Sequence, residues 1–213
     1  MTELYLVRHG ETDWNAARKI QGRTDIPLND TGRGQARRAG ELLARRSWDA
    51  VYASPLSRAL ETAEIIAAEL GIDTVTVVDD VQERDYGAAE GLTFAEIETQ
   101  FPAGIPAADQ ETREQVGRRV VRALVEIART HPGEKVIIVS HGGAIRGVLH
   151  EVDPGTQHPS ITNASVHSFR FADGGLQLVA FDDPIEVESQ LDESADIDAQ
   201  NAVEAHDDAA RAQ

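Results

Sequence analysis

Four short apolar runs stand out along the chain: residues 3–7, Ala50 to Ala53, Thr74 to Val78 and Val136 to Val139. The first, second and fourth lack polar alternation, the mark of strands buried on both faces, as in a parallel sheet. Helical periodicity fills the gaps. Asn29-Asp30-Thr31 can cap a helix running through Ala36, Ala39, Leu42 and Leu43. Leu60, Ala63, Ile66, Ala67 and Leu70 mark a second, closed by Gly71. A third spans about Thr112 to Thr130, with Val116, Val120, Leu124 and Ile127 on its core face and His131-Pro132-Gly133 as its stop. A shorter helix follows Gly143, through Ile145, Val148 and Leu149. Val166 to Phe171 and Leu176 to Phe181, joined by Asp173-Gly174-Gly175, predict a β-hairpin at the sheet edge. This alternation predicts an α/β fold: three-layer, doubly wound, a mostly parallel sheet with helices on both faces and an antiparallel edge hairpin.

Composition narrows the class. The 213 residues suit one such domain, and 41% hydrophobic with 27% charged residues is ordinary for a soluble protein. No run of eighteen apolar residues exists, so no membrane partner is expected. The first strand begins at once, leaving no room for a signal peptide, and a cytoplasmic enzyme is the natural expectation. Cysteine is absent, which removes disulfides and thiol chemistry. A net charge of −17 argues against nucleic acid, whose phosphates such a surface repels. That charge is uneven: residues 183–213 hold ten acids and one base, hence nine of the seventeen excess negative charges. The chain therefore divides into a domain at 1–182 and an acidic C-terminal tail at 183–213. The tail composition is disorder-like, and its Ala and Glu would also support a docked helix.

In an open parallel sheet, ligands collect beyond the carboxyl ends of the strands. The first strand ends in Arg8 and His9, the second in Ser54 with Arg58 close behind, and the fourth in His141. Two imidazoles and two guanidiniums on one rim make an anion site, because guanidinium forks match phosphate oxygens. The helix starting near Ala144 is expected to add backbone N–H donors. A cationic cluster in an acidic protein suits a phosphate ester. Phosphoryl transfer then needs a nucleophile. No thiolate exists, and the one Asp-x-Asp, Asp196-Ile197-Asp198, lies in the tail. His9 remains, with Arg8 and Arg58 to stabilise the transferring group. Metal ligation by His9 and His141 is the competing chemistry; it needs a third ligand and sits badly beside guanidiniums. Gly32-Arg33-Gly34 lacks the third glycine of a dinucleotide loop and reads as helix-start punctuation.

Arg8-His9-Gly10-Glu11-Thr12 with Trp14-Asn15 resembles the signature of the histidine phosphatase superfamily, the phosphoglycerate mutase-like proteins. The resemblance continues through Gln21-Gly22, Asp25, Leu28 and Gly32 with Gln35-Ala36, then Ser54-Pro55-Leu56-Ser57-Arg58-Ala59 with Thr62-Ala63. Glu83, Gly87 and Glu90-Gly91 form the next block and Ser140-His141-Gly142-Gly143 the last. It implies that His9 becomes a phosphohistidine and that Arg8, Arg58 and His141 form the phosphate pocket, with a hydrogen bond from Asn15. It also implies that Glu83 exchanges the proton with the leaving oxygen and then with water. For that Glu83 needs a raised pKa, expected from partial burial near Tyr86. Gln21, Gly22 and Gly142 are expected to line the substrate, and Asn163 to fix a turn before the hairpin.

The short span from Gly91 to Lys135 and the Gly142-Gly143 pair favour hydrolysis over mutase chemistry. Three readings follow: a phosphomonoester hydrolase acting without metal or cofactor, a cofactor-dependent phosphoglycerate mutase, or a non-catalytic binding protein that uses the acidic tail. The expected partner is a small phosphorylated metabolite or inorganic phosphate, its identity set by the loop from Phe101 to Gln110. A homodimer stays open.

Overall fold

The computed structural model describes residues 1–104 and 110–185. A six-stranded sheet runs in the order β3-β2-β4-β1-β5-β6. Its strands are β1 (Thr2–Arg8), β2 (Ala50–Ala53), β3 (Val75–Val77), β4 (Lys135–Ser140), β5 (Val166–Ala172) and β6 (Gly175–Ala180). The pairs β1–β4, β2–β4 and β2–β3 are parallel, whereas β1–β5 and β5–β6 are antiparallel. The expected mixed sheet with an antiparallel edge hairpin is therefore present.

Strand residues alternate between two apolar layers. Leu4, Leu6, Val136 and Ile138 face helices α5 (Arg113–Thr130) and α6 (Gly142–Val152). Tyr5, Val7, Ile137 and Val139 face α2 (Asp30–Leu43) and α3 (Ser57–Leu70). Burying each Leu or Ile side chain stabilises the fold by about 1.5–3 kcal/mol. Both faces of β1 and β4 are covered in this way, while β6 alternates half-buried and exposed positions. The centre of the sheet is accordingly its most firmly held part.

The caps follow the sequence. Asn29 accepts from Gly32 N at the start of α2, Thr112 forms a capping box with Gln115, and α3 ends at Gly71. Two short α-helices are also present among the described residues, α1 (Asp13–Ala16) and α4 (Phe94–Gln100), the first opened by a Thr12–Asn15 capping box. Contacts with the sheet continue past residue 182: Asp183 N donates to Val166 O, and buried Ile185 accepts from Arg46 Nη2 at 3.1 Å. The rest of the acidic tail and residues 105–109 of the expected substrate loop lie outside the described residues. No helix among the described residues is long and apolar enough to cross a membrane.

One topological detail positions the chemistry. β1 and β4 are neighbours, yet α2, which leads away from β1, packs on one face and α6, which follows β4, on the other. Such divergence opens a crevice beyond the carboxyl ends of the two strands. His9 and His141 are the residues that immediately follow them.

Candidate active site

The register pairs Arg8 with Ser140, and His9 N donates to Ser140 O at 3.0 Å. The two histidines are thus brought side by side by the backbone ladder, with ring centroids 5.2 Å apart. Both are buried, His9 being 1% exposed. His9 Nδ1 lies 2.6 Å from Gly10 O. A carbonyl only accepts, so Nδ1 carries the hydrogen and the lone pair resides on Nε2. Burial, then the Arg58 and Arg8 guanidiniums, hold His9 well below the ordinary histidine pKa. His141 is depressed likewise by burial, Arg58 and His9. Both imidazoles are neutral at pH 7, and His9 presents an unprotonated Nε2.

Arg8 and Arg58 supply the positive charge. Arg8 Nη1 donates to Ile161 O at 2.5 Å. Arg58 Nη1 and Nη2 donate to Thr24 O at 2.9 Å and Gly22 O at 2.7 Å. Burial lowers the Arg58 pKa to about 10, against the opposing pull of the Glu83 and Asp25 carboxylates, so it stays charged at neutral pH. His141 Nε2 meets Ser54 Oγ at 2.8 Å, leaving its buried Nδ1 without an acceptor among the described residues. Arg58 Nε and Gln21 Nε2 are in the same position. Three buried nitrogens lacking acceptors suit an anion with several oxygens.

Glu83 lies in the same site, and here two expectations change. The residue is fully buried, not partly. Its Oε1 accepts from Arg84 N at 2.7 Å and Ala144 N at 2.9 Å, and Oε2 from Gly143 N at 3.2 Å. The first turn of α6 therefore directs two N–H groups at Glu83 instead of at a substrate. The close seat requires a glycine, since a Cβ at Gly143 would fall 2.7 Å from both Glu83 Oε1 and the Tyr86 hydroxyl.

The remaining expected residues gather around the same crevice with altered parts. Asn15 is buried, its Oδ1 accepts from Thr12 N and its N donates to Thr12 Oγ1, completing the cap of α1. Gln21 Oε1 accepts from Thr12 Oγ1. Gly22 turns its carbonyl to Arg58, at φ +52, where glycine is favoured. Gly142 opens α6. Asn163 does sit in a turn, and its Nδ2 also donates to His9 O at 3.0 Å, tying the approach to β5 to the backbone of His9.

Sequence reasoning missed the Thr12–Asn15 box, although the spacing was a cap signal. It also missed the Asn163 tether, a contact across 154 residues that leaves no local trace. Among the described residues no three His, Asp or Glu side chains are grouped to hold a metal ion. His9 and His141 thus have no third ligand there.

Comparison with known proteins places the chain in a family. The uncharacterized phosphatase PhoE of Bacillus subtilis is 45% identical, covering 81% of this chain and 90% of its own. A metal-independent phosphoserine phosphatase of Arabidopsis thaliana is 36% identical, covering 81% and 78%. A solved phosphoserine phosphatase mutant of Entamoeba histolytica, in complex with phosphoserine, superposes with a TM-score of 0.72 at 30% identity, covering 85% and 97%. Proteins named phosphoglycerate mutases are also among the matches. The model of the histidine phosphatase superfamily (branch 1) matches residues 4–184, and the chain belongs to that family of phosphate-ester hydrolysing enzymes.

Proposed function

We propose that this chain hydrolyses small phosphate monoesters through a phosphohistidine on His9, without a metal ion. The observation that carries the reading is the bond from His9 Nδ1 to Gly10 O, made beside two guanidiniums. It leaves a neutral, oriented Nε2 where positive charge can gather the phosphoryl oxygens.

The Nε2 lone pair bonds to phosphorus as the ester P–O bond breaks, and Glu83 gives its proton to the departing oxygen. In the second half Glu83 takes a proton from water, the water oxygen bonds to phosphorus, and the P–N bond breaks to free inorganic phosphate. Arg8, Arg58 and His141 hold the equatorial oxygens throughout, with Asn15, Gln21 and Gly142 as further donors. Gly22 serves by orienting Arg58. The two guanidiniums supply the charge stabilisation that a metal would otherwise give. Relatives that act on phosphoserine support a small phosphorylated metabolite as substrate.

Purified protein is expected to release phosphate from p-nitrophenyl phosphate in EDTA, and His9→Ala to abolish release. Turnover lost on adding EDTA would refute the metal-free reading. The matches named as mutases favour a second reading: interconversion of 2- and 3-phosphoglycerate with no ester hydrolysis would establish it.

A further inference from the structure

Arg58 uses two of its five N–H donors on the carbonyls of Gly22 and Thr24. These carbonyls fix the plane of the guanidinium, and both belong to a loop outside any helix or strand. That loop is gripped by a carboxylate the mechanism does not use. Glu90 Oε1 accepts from Arg23 N at 2.9 Å, and Oε2 accepts from Thr24 N at 2.9 Å and Thr24 Oγ1 at 2.5 Å. Tyr86 N adds a further donor to Oε1 at 3.3 Å.

The bond pattern is more specific than a general clamp. Gly22 O and Arg23 N are the two ends of one planar peptide unit. Its N–H is held by Glu90 and its C=O holds Arg58, so the rigid unit transmits the carboxylate's position to the guanidinium. The approach is close: a Cβ at Gly22 would fall 2.0 Å from Glu90 Oε1. Asp25 anchors the far end of the loop by accepting from Ser57 N and Oγ, both at 2.8 Å.

We propose that Glu90 is a positioning residue for phosphoryl transfer, acting through the Gly22–Arg23 peptide and Thr24 to set the orientation of Arg58. This rests on the hydrolase reading above. The Glu90 charge also favours the protonated form of Arg58, against its burial. A carboxylate that only stabilised the loop would change folding without favouring Arg58 over any other site residue.

The test is a double-mutant cycle. Kinetics with p-nitrophenyl phosphate in EDTA and vanadate affinity are measured for the wild type, Glu90→Gln, Arg58→Lys and the double variant. Glu90→Gln keeps size and shape but turns an NH₂ group toward N–H donors. It is expected to lower kcat/KM by about 10–100-fold, the scale of a small displacement of a catalytic group. In the Arg58→Lys background the same change is expected to cost less than about threefold, because the two residues act as one unit. Vanadate affinity should follow the same pattern, and melting temperature should not. Equal costs in both backgrounds, or no cost at all, would overturn the proposal. Should Glu90→Gln fail to fold, Thr24→Val removes one of the four donors and is read in the same cycle. A wild type that neither hydrolyses the ester nor binds vanadate would sink the hydrolase reading and this one together. Wild-type turnover with an unaltered Glu90→Gln variant would sink this one alone.

Discussion

Ser54 Oγ stands 2.8 Å from His141 Nε2 and also accepts from Leu56 N at 3.3 Å. We assign the hydroxyl as donor to Nε2, which leaves the hydrogen of the neutral ring on Nδ1. His141 then offers an N–H where a phosphoryl oxygen needs one. Ser54→Ala removes the partner that fixes this tautomer. We expect kcat/KM for p-nitrophenyl phosphate to fall by about tenfold, as for the loss of an orienting hydrogen bond. His141→Ala should cost more, and equal activity of Ser54→Ala and wild type would refute the assignment.

Gly143→Ala pushes a methyl group into Glu83 and Tyr86. The carboxylate must leave its seat on the helix start, so proton transfer should suffer more than binding. The expected loss is about 10²-fold or more in kcat, the scale of general acid–base catalysis. KM should change little. A variant whose KM rises while kcat holds would contradict the role given to Glu83.

Thr62 lies between the turn after His9 and Arg58: its Oγ1 accepts from Gly10 N at 3.1 Å and donates to Arg58 O at 2.7 Å. Thr62→Val keeps the volume and strands a buried N–H. Chemical denaturation should show a loss of about 1–3 kcal/mol, the cost of an unsatisfied buried donor. Loss of activity with unchanged stability would not fit this picture.

Acid should destabilise the fold steeply. His9, His141 and His167 are buried with depressed pKa values, that of His167 at about 3 because of burial and Arg146. At pH 7 the folded chain leaves them neutral and the unfolded chain protonates each to only about a quarter. As pH falls below about 6.5 the unfolded chain binds protons that the folded one refuses, and each group removes about 1.4 kcal/mol of stability per pH unit. Denaturation between pH 6 and 5 should show stability falling with pH, His167 alone contributing about 1.4 kcal/mol per pH unit and His9 and His141 acting in the same direction. His141→Gln should reduce that slope by one group. Ring signals of His9 titrating near pH 6.5 would disprove the premise.

The sheet was legible because buried strands such as Val136 to Val139 carry no polar interruption, and because caps at Asn29, Thr112 and Gly71 are local chemistry. The convergence of His9, Arg58 and His141 could be read from their places at strand ends. What could not be read was how donors are shared. Gly143 N and Ala144 N go to Glu83, and Gly22 O goes to Arg58, through contacts that span tens of residues and follow no periodicity. The hairpin was visible, but its tether through Asn163 to His9 was not, since a lone Asn before a strand has many uses.

The pairing of Arg8 with Ser140 makes the site a property of alignment as much as of side chains. Neighbouring positions on a strand point to opposite faces, so a single added residue within β4 would turn the imidazole of His141 toward the far layer. The two apolar layers would still have Val and Ile to bury, and the molecule would still collapse around them. Insertions there should yield folded but inert protein, separating the ability to fold from the ability to cut a phosphate ester.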